Sequence, residues 1–132
     1  MVGLFGRFQT DPEKNENVKK IKELRKLVRS KKYSEALKVG AKYLQKVPEN
    51  HDVQFIVGSI HYMKGRHREA ISFFDKALEI GSYDVDVLIL KANSHHILGE
   101  NKRAVQCCDK IAEIDPKNKA VSELLSKLNL RD

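Results

Sequence analysis

The chain has 132 residues, of which 41% are apolar and 33% charged, with no Trp. That length suits one domain with one core, and the balance is too apolar for a disordered chain. The net charge of +7 is uneven: residues 1–50 hold 13 Lys+Arg against 6 Asp+Glu, whereas residues 51–132 hold 12 against 12.

The first segment carries Leu4, Phe5 and Phe8 but is interrupted by Arg7. A secretory signal needs about 7–15 continuous apolar residues, so residues 1–11 read as a flexible tail, and no run reaches the roughly 20 apolar residues that span a bilayer. Thr10-Asp11-Pro12 has the form of a helix start. Val18, Ile21, Leu24 and Val28 then keep helical spacing up to a break at Lys31-Lys32, so residues 12–30 are expected to form one long helix. Charge is densest here, with eight basic residues from Lys19 to Lys32 and one acid, Glu23. A second helix follows with Ala36, Val39, Tyr43 and Leu44. Val53, Ile56, Val57 and Ile60 mark a third, and Ala70, Phe73, Phe74, Ala77 and Leu78 a fourth, with Gly65 between them. Val87, Leu88, Leu90 and Ala92, then Val105, Cys108, Ile111 and Ala112, repeat the pattern across Gly99. Asp115-Pro116 reads as an N-cap followed by proline at the first helical position. It would open a last helix over about 117–129, with Val121, Leu124, Leu125 and Leu128 on one stripe and Lys119, Ser122, Glu123, Ser126 and Lys127 facing away.

These helices recur with a period. Tyr33-Ser-Glu-Ala36, His67-Arg-Glu-Ala70 and Asn101-Lys-Arg-Ala104 align without gaps, so Ala36, Ala70 and Ala104 are each 34 residues apart. Pro48 and Pro116 stand at the ends of the first and third units, and Ser82 holds that place in the second. A 34-residue period of two helices, with alanine at the tight crossing and proline at the unit's end, resembles the tetratricopeptide repeat. The second unit matches best, through Gly58, Tyr62, Gly65, Ala70, Phe74, Ala77 and Leu78. The first departs most: Leu24 and Tyr43 replace Gly58 and Ala77, which argues against equally close packing of its two helices. The resemblance implies an all-α helical-repeat solenoid with right-handed superhelical curvature. It would comprise a single domain over residues 12–132, with three antiparallel helix pairs (about 17–50, 51–84 and 85–118) and a capping helix. Such units stack because a lone helix pair cannot bury its apolar face.

The resemblance further implies that the first helix of each pair lines a concave groove. Carried onto this sequence, the groove takes Val18, Ile21, Lys22, Arg25 and Arg29 from the first unit. Phe55, Ile56, Ser59, Tyr62 and Met63 come from the second, and Asp86, Ile89, Leu90, Asn93, His96 and Ile97 from the third. It would be basic at its N-terminal end and apolar in the middle. The expected function is a protein-protein interaction scaffold that binds a peptide or helical segment of another protein, one with an acidic flank. Relatives that grip a chaperone's C-terminal carboxylate use cationic and amide side chains at positions matching Ile21, Arg25, Ile56, Asp86 and Leu90. Only Arg25 is cationic here and Asp86 would repel, so a carboxylate-clamp chaperone ligand is not expected.

The alternative is nucleic acid or another anionic surface bound by the basic first helix. Its lysines and arginines surround the helix instead of forming one stripe, and no aromatic is interleaved for stacking, so nucleic acid is disfavoured. No Ser/His/Asp set, phosphate loop or paired carboxylates mark an enzyme, and no cofactor is implied. His95-His96 and Cys107-Cys108 are adjacent pairs that diverge by about 100° on a helix, so no metal site is expected. Cys108, in register with Phe74, reads as a small core residue, His95 and His61 as fillers between helices, and His96 as a groove residue. The two adjacent cysteines give no disulfide framework, and a reducing, cytoplasmic setting is expected. Self-association is expected to be at most a weak homodimer through Leu128 and Leu130 of the C-terminal helix or through the N-terminal tail. Three apolar residues alone are too few to anchor the tail on a membrane.

Overall fold

The computed structural model describes residues 12–129. Seven helices follow one another: α1 (Pro12–Arg29), α2 (Tyr33–Lys46), α3 (His51–Met63), α4 (His67–Ile80), α5 (Val85–Ile97), α6 (Asn101–Ile114) and α7 (Lys119–Asn129). No strand occurs among the described residues. The expectations placed on residues 1–11 and on Leu130 lie outside them.

The 34-residue period reappears as repeated hydrogen bonding. Within each pair the turn closes in the same way: Lys32, Arg66 and Glu100 donate their amides to the carbonyls of Leu27, His61 and His95, five residues back. The residue before each, Lys31, Gly65 and Gly99, bonds three residues back and has a positive φ of 58°, 76° and 78°. This is the helix-ending motif that favours glycine. Between pairs the next helix is capped at the same register. Asn50 Oδ1 accepts from Val53 N at 3.1 Å, Asp84 Oδ1 from Val87 N at 3.3 Å, and Asn118 Oδ1 from Ala120 N at 2.9 Å. Asx caps of this kind satisfy amides that helix geometry leaves unpaired. The last helix therefore starts at Lys119, later than Asp115-Pro116 suggests. Asp115 instead ends α6, where its amide bonds Ile111 O at 2.7 Å, and its carboxylate holds the Asn118 amide at 3.0 Å.

Ala36, Ala70 and Ala104 are fully buried. In the second pair the approach is so close that a Cβ on Gly58 would lie 2.7 Å from Phe74 Cε1 and 3.1 Å from Phe73 Cβ. Phe74, Leu24, Ile60 and Ile111 are the largest fully buried side chains. They join three adjoining clusters, one running from α1 to α3, one from α4 to α5 and one from α5 to α7. The first pair, which carries Leu24 and Tyr43 at its crossing, is in contact along less of its length than the second and third. Cys108 is buried in the last cluster beside Ala104 and Ile111, as its alignment with Phe74 suggests. Leu128 is buried there too, so it covers the chain's own last repeat and presents no surface to a second copy.

α1 touches α3, α3 touches α5 and α5 touches α7, whereas α2, α4 and α6 do not meet one another. The first helices of the pairs thus form the crowded inner row of the stack, and the second helices the spread outer row.

Candidate functional site

The inner row is where the sequence places its groove. Between α1 and α3 lies an open cleft of about 310 Å3 lined by Arg25, Val28, Arg29, Phe55, Ile56, Ser59 and Met63. Helical spacing explains the set. Arg25, Val28 and Arg29 fall at i, i+3 and i+4 on α1, and Phe55, Ile56, Ser59 and Met63 at i, i+1, i+4 and i+8 on α3, so each group shares one face. Met63 is half exposed. Phe55 is partly buried, with its ring 6.2 Å from that of Phe74. Ile56 belongs mostly to the core. Ser59 turns its hydroxyl onto Phe55 O at 2.8 Å, which leaves its Oγ able to accept but with its proton committed. Two guanidinium groups at the rim of an apolar floor can bind an anionic group beside an apolar side chain.

The remaining groove candidates lie elsewhere. Lys22 is exposed on α1 but does not line this cleft. Tyr62 packs edge-on against the His67 ring at 5.1 Å, and His67 Nδ1 lies 3.3 Å from Ser94 Oγ. Leu90 packs with Tyr62 and Phe55 on the middle cluster, and Ile89 packs against the last one. Asn93 and His96 are partly buried on α5, Ile97 is exposed at its end, and Asp86 is exposed in its first turn. The structure thus brings together Arg25, Arg29, Phe55, Ile56, Ser59 and Met63, and spends Tyr62, Ile89 and Leu90 on contacts between repeats. Sequence reading missed Val28 as a lining residue, although its position between Arg25 and Arg29 on one helix face carries the signal.

Two features lie off the inner row. His95 is buried, and its Nδ1 stands 3.0 Å from Glu100 Oε1, while Arg68 Nη1 reaches Glu100 Oε2 at 3.5 Å. The hydrogen bond to His95 chiefly holds the Glu100 carboxyl below its usual range. One repeat earlier, His61 stacks on Phe73 at 5.3 Å. Burial, followed by the Arg66 charge, pushes its pKa down. Among the described residues no cluster of three His, Cys, Asp or Glu is placed to hold a metal, and no helix is long and apolar enough to cross a membrane.

Residues 29–125, more than half of the chain, match the family model of anaphase-promoting complex, cyclosome, subunit 3. The chain belongs to that family. No curated protein matches it in sequence. Among solved structures it is similar to the first tetratricopeptide domain of Spaghetti (RPAP3) bound to the HSP90 peptide SRMEEVD. The TM-score is 0.82 and the identity 17%, over 94% of this chain and 97% of that one. The second such domain of human RPAP3, in complex with the HSP70 peptide SGPTIEEVD, gives 0.78 and 15%, over 85% and 93%. The TPR2B domain of yeast Sti1 in complex with pHsp70 gives 0.72 and 21%, over 86% and 98%. At these identities the likeness carries the fold, which is the tetratricopeptide-repeat fold.

One expectation is corrected by these relatives. The sequence reading excluded a carboxylate-clamp chaperone ligand, yet domains of this fold hold chaperone peptides that end in EEVD. The exclusion rested on five register positions, and the geometry shows why that was insufficient. Asp86, invoked as repelling, does not line the cleft, and Arg29, left out of the comparison, lies in it beside Arg25.

Proposed function

We propose that this member of the family is an interaction module that seats a short segment of another protein in the groove between α1 and α3. The single observation that carries this reading is the cleft where Arg25 and Arg29 border the apolar floor of Val28, Phe55 and Met63. The ligand best suited to it has an apolar side chain next to one or more carboxylates. The apolar residue would be buried against Phe55 and Met63, and a carboxylate would take charge-assisted hydrogen bonds from the guanidinium groups. The peptides held by the compared domains have that composition, so an EEVD tail is among the ligands this groove suits.

The test is fluorescence anisotropy with labelled SRMEEVD and with a variant whose acidic residues are replaced by glutamine. Charge-assisted contacts contribute about 1.5–3 kcal/mol each. Arg25→Glu should therefore weaken the acidic peptide by at least tenfold and leave the glutamine variant nearly unchanged. Phe55→Ala should weaken both. Equal binding to wild type and to both variants would refute the placement.

A further inference from the structure

The second and third repeats differ at one place on the side of the outer helices. Residues of α4, α5 and α6 enclose an open cavity of about 340 Å3 there. Cys107 and His95 lie on its wall, with Ile71 and the buried Leu88. One period earlier the matching place is filled. Cys107 is in register with Phe73, and Phe73 stacks on His61 with ring centroids 5.3 Å apart and planes 10° apart. Phe73 also packs on the core cluster that holds Val57. In the third repeat His95 takes the place of His61, but the small Cys107 side chain stands where the ring would be. The surroundings change with it. Lys91 replaces Val57, Asp75 replaces Ala41 and Arg103 replaces Glu69, while Lys110 keeps the charge of Lys76.

The cavity therefore lacks one ring and gains charge. Its lining holds three cations, Lys91, Arg103 and Lys110, against one carboxylate, Asp75. Lys91 Nζ donates to Asp75 Oδ1 at 2.7 Å, and an ammonium group has two further protons to give. Arg103 Nη1 lies 3.8 Å from Glu100 Oε2, beyond hydrogen-bond range, so this contact leaves its donors available. Glu100 also holds His95 Nδ1 at 3.0 Å, which fixes the imidazole on the cavity wall. We propose that this cavity binds a small aromatic phosphomonoester, with its ring where Phe73 lies one repeat earlier and its phosphate facing Lys91, Arg103 and Lys110. Ring stacking on His95 and apolar contact with Ile71 and Leu88 replace what the missing Phe would supply. Three cationic side chains suit a doubly charged phosphate, and hydrogen bonds to it are charge-assisted. The volume falls within the range of small-molecule sites, about 300–1,000 Å3. The cavity shares no residue with the peptide groove between α1 and α3, so the two sites can be occupied at once.

The experiment is a backbone-amide NMR titration of the full chain with phenyl phosphate, with inorganic phosphate and phenol as the two halves of the ligand. Saturable shift changes are expected at Ile71–Asp75, Lys91–His95 and Arg103–Lys110, with a Kd on the order of 1 mM or below, as suits a ligand of this size. Each half alone should bind at least about tenfold more weakly. Cys107→Phe restores the side chain of the preceding repeat, fills the cavity and should abolish binding, with unchanged helical circular dichroism. The double variant Arg103→Gln, Lys110→Gln alters two exposed side chains and so leaves folding intact; it should bind about tenfold more weakly or worse. Free phosphotyrosine and phenyl phosphate share the proposed chemistry, and both should give the same pattern of shifts. Three results would each overturn the proposal: inorganic phosphate binding as tightly as phenyl phosphate, shifts confined to Arg25–Arg29 and Phe55–Met63, or binding by the double variant equal to wild type.

Discussion

Replacing Lys31 by glycine should stabilise the protein. Lys31 ends α1 with a φ of 58°, at the register where Gly65 and Gly99 end α3 and α5 at 76° and 78°. All three turns carry the same pair of backbone hydrogen bonds, so the backbone demands the same conformation of each residue. A side chain there costs about 1–2 kcal/mol through its Cβ and the following carbonyl. Glycine removes that strain but adds freedom to the unfolded chain, worth about 0.5–1 kcal/mol. The net expectation for Lys31→Gly is a gain of about 0.5–1 kcal/mol. At this size that raises Tm by roughly 2–5 °C. The converse isolates the backbone as cause: a Cβ at Gly65 or Gly99 meets nothing within 4 Å, so no packing clash contributes. Gly65→Lys and Gly99→Lys should each lose about 1 kcal/mol. Urea unfolding followed by circular dichroism measures all three. A Lys31→Gly midpoint equal to or below wild type, with an unchanged slope, would refute the reasoning.

Gly58→Ala should cost about 1–3 kcal/mol for the opposite reason. Its Cβ would meet the fully buried Phe74 ring at 2.7 Å, so the same urea titration should show a clear loss. Burial depresses the His61 pKa below its ordinary 6.5. The unfolded chain then takes up a proton as pH falls through 6.5 while the folded chain resists, so stability is present above that pH and is lost as pH drops below it. His61→Phe should flatten the Tm-against-pH curve in that window, and an unchanged curve would contradict it. Burial pushes the Cys108 thiol up to about 11 and raises Cys107 as well. Because the thiolate is the reactive form, the native protein at pH 8 should react slowly with a disulfide reagent and release both thiols once unfolded. Fast, complete reaction of the folded chain would contradict the buried placement.

The repeat was legible because it rests on small residues at fixed places: Ala36, Ala70 and Ala104 recur 34 residues apart, and all three are fully buried. A second periodic signal, Asn50, Asp84 and Asn118 at the caps, was equally available and explains why the last helix starts at Lys119. Leu24 and Tyr43 also foretold the looser first pair. The groove was only partly legible. Periodicity says which residues share a helix face, and so it brought Arg25, Arg29, Phe55 and Met63 together. It does not say how far a neighbouring helix covers them. Tyr62, Ile89 and Leu90 share the inner row but are drawn into contacts between repeats, which depend on the separation of α3 and α5. Comparison at single register positions failed for a related reason: Asp86 is in register with Val18 of the first unit, but lies away from the cleft that Arg25 and Arg29 border.

The most direct test of the account is backbone-amide NMR of the labelled protein titrated with SRMEEVD. The expected result is saturable shift changes concentrated on Arg25–Arg29 of α1 and Phe55–Met63 of α3, absent in Arg25→Glu. Shift changes confined to α2, α4 and α6, or none at all with this peptide or with any acidic, apolar-anchored segment, would contradict it.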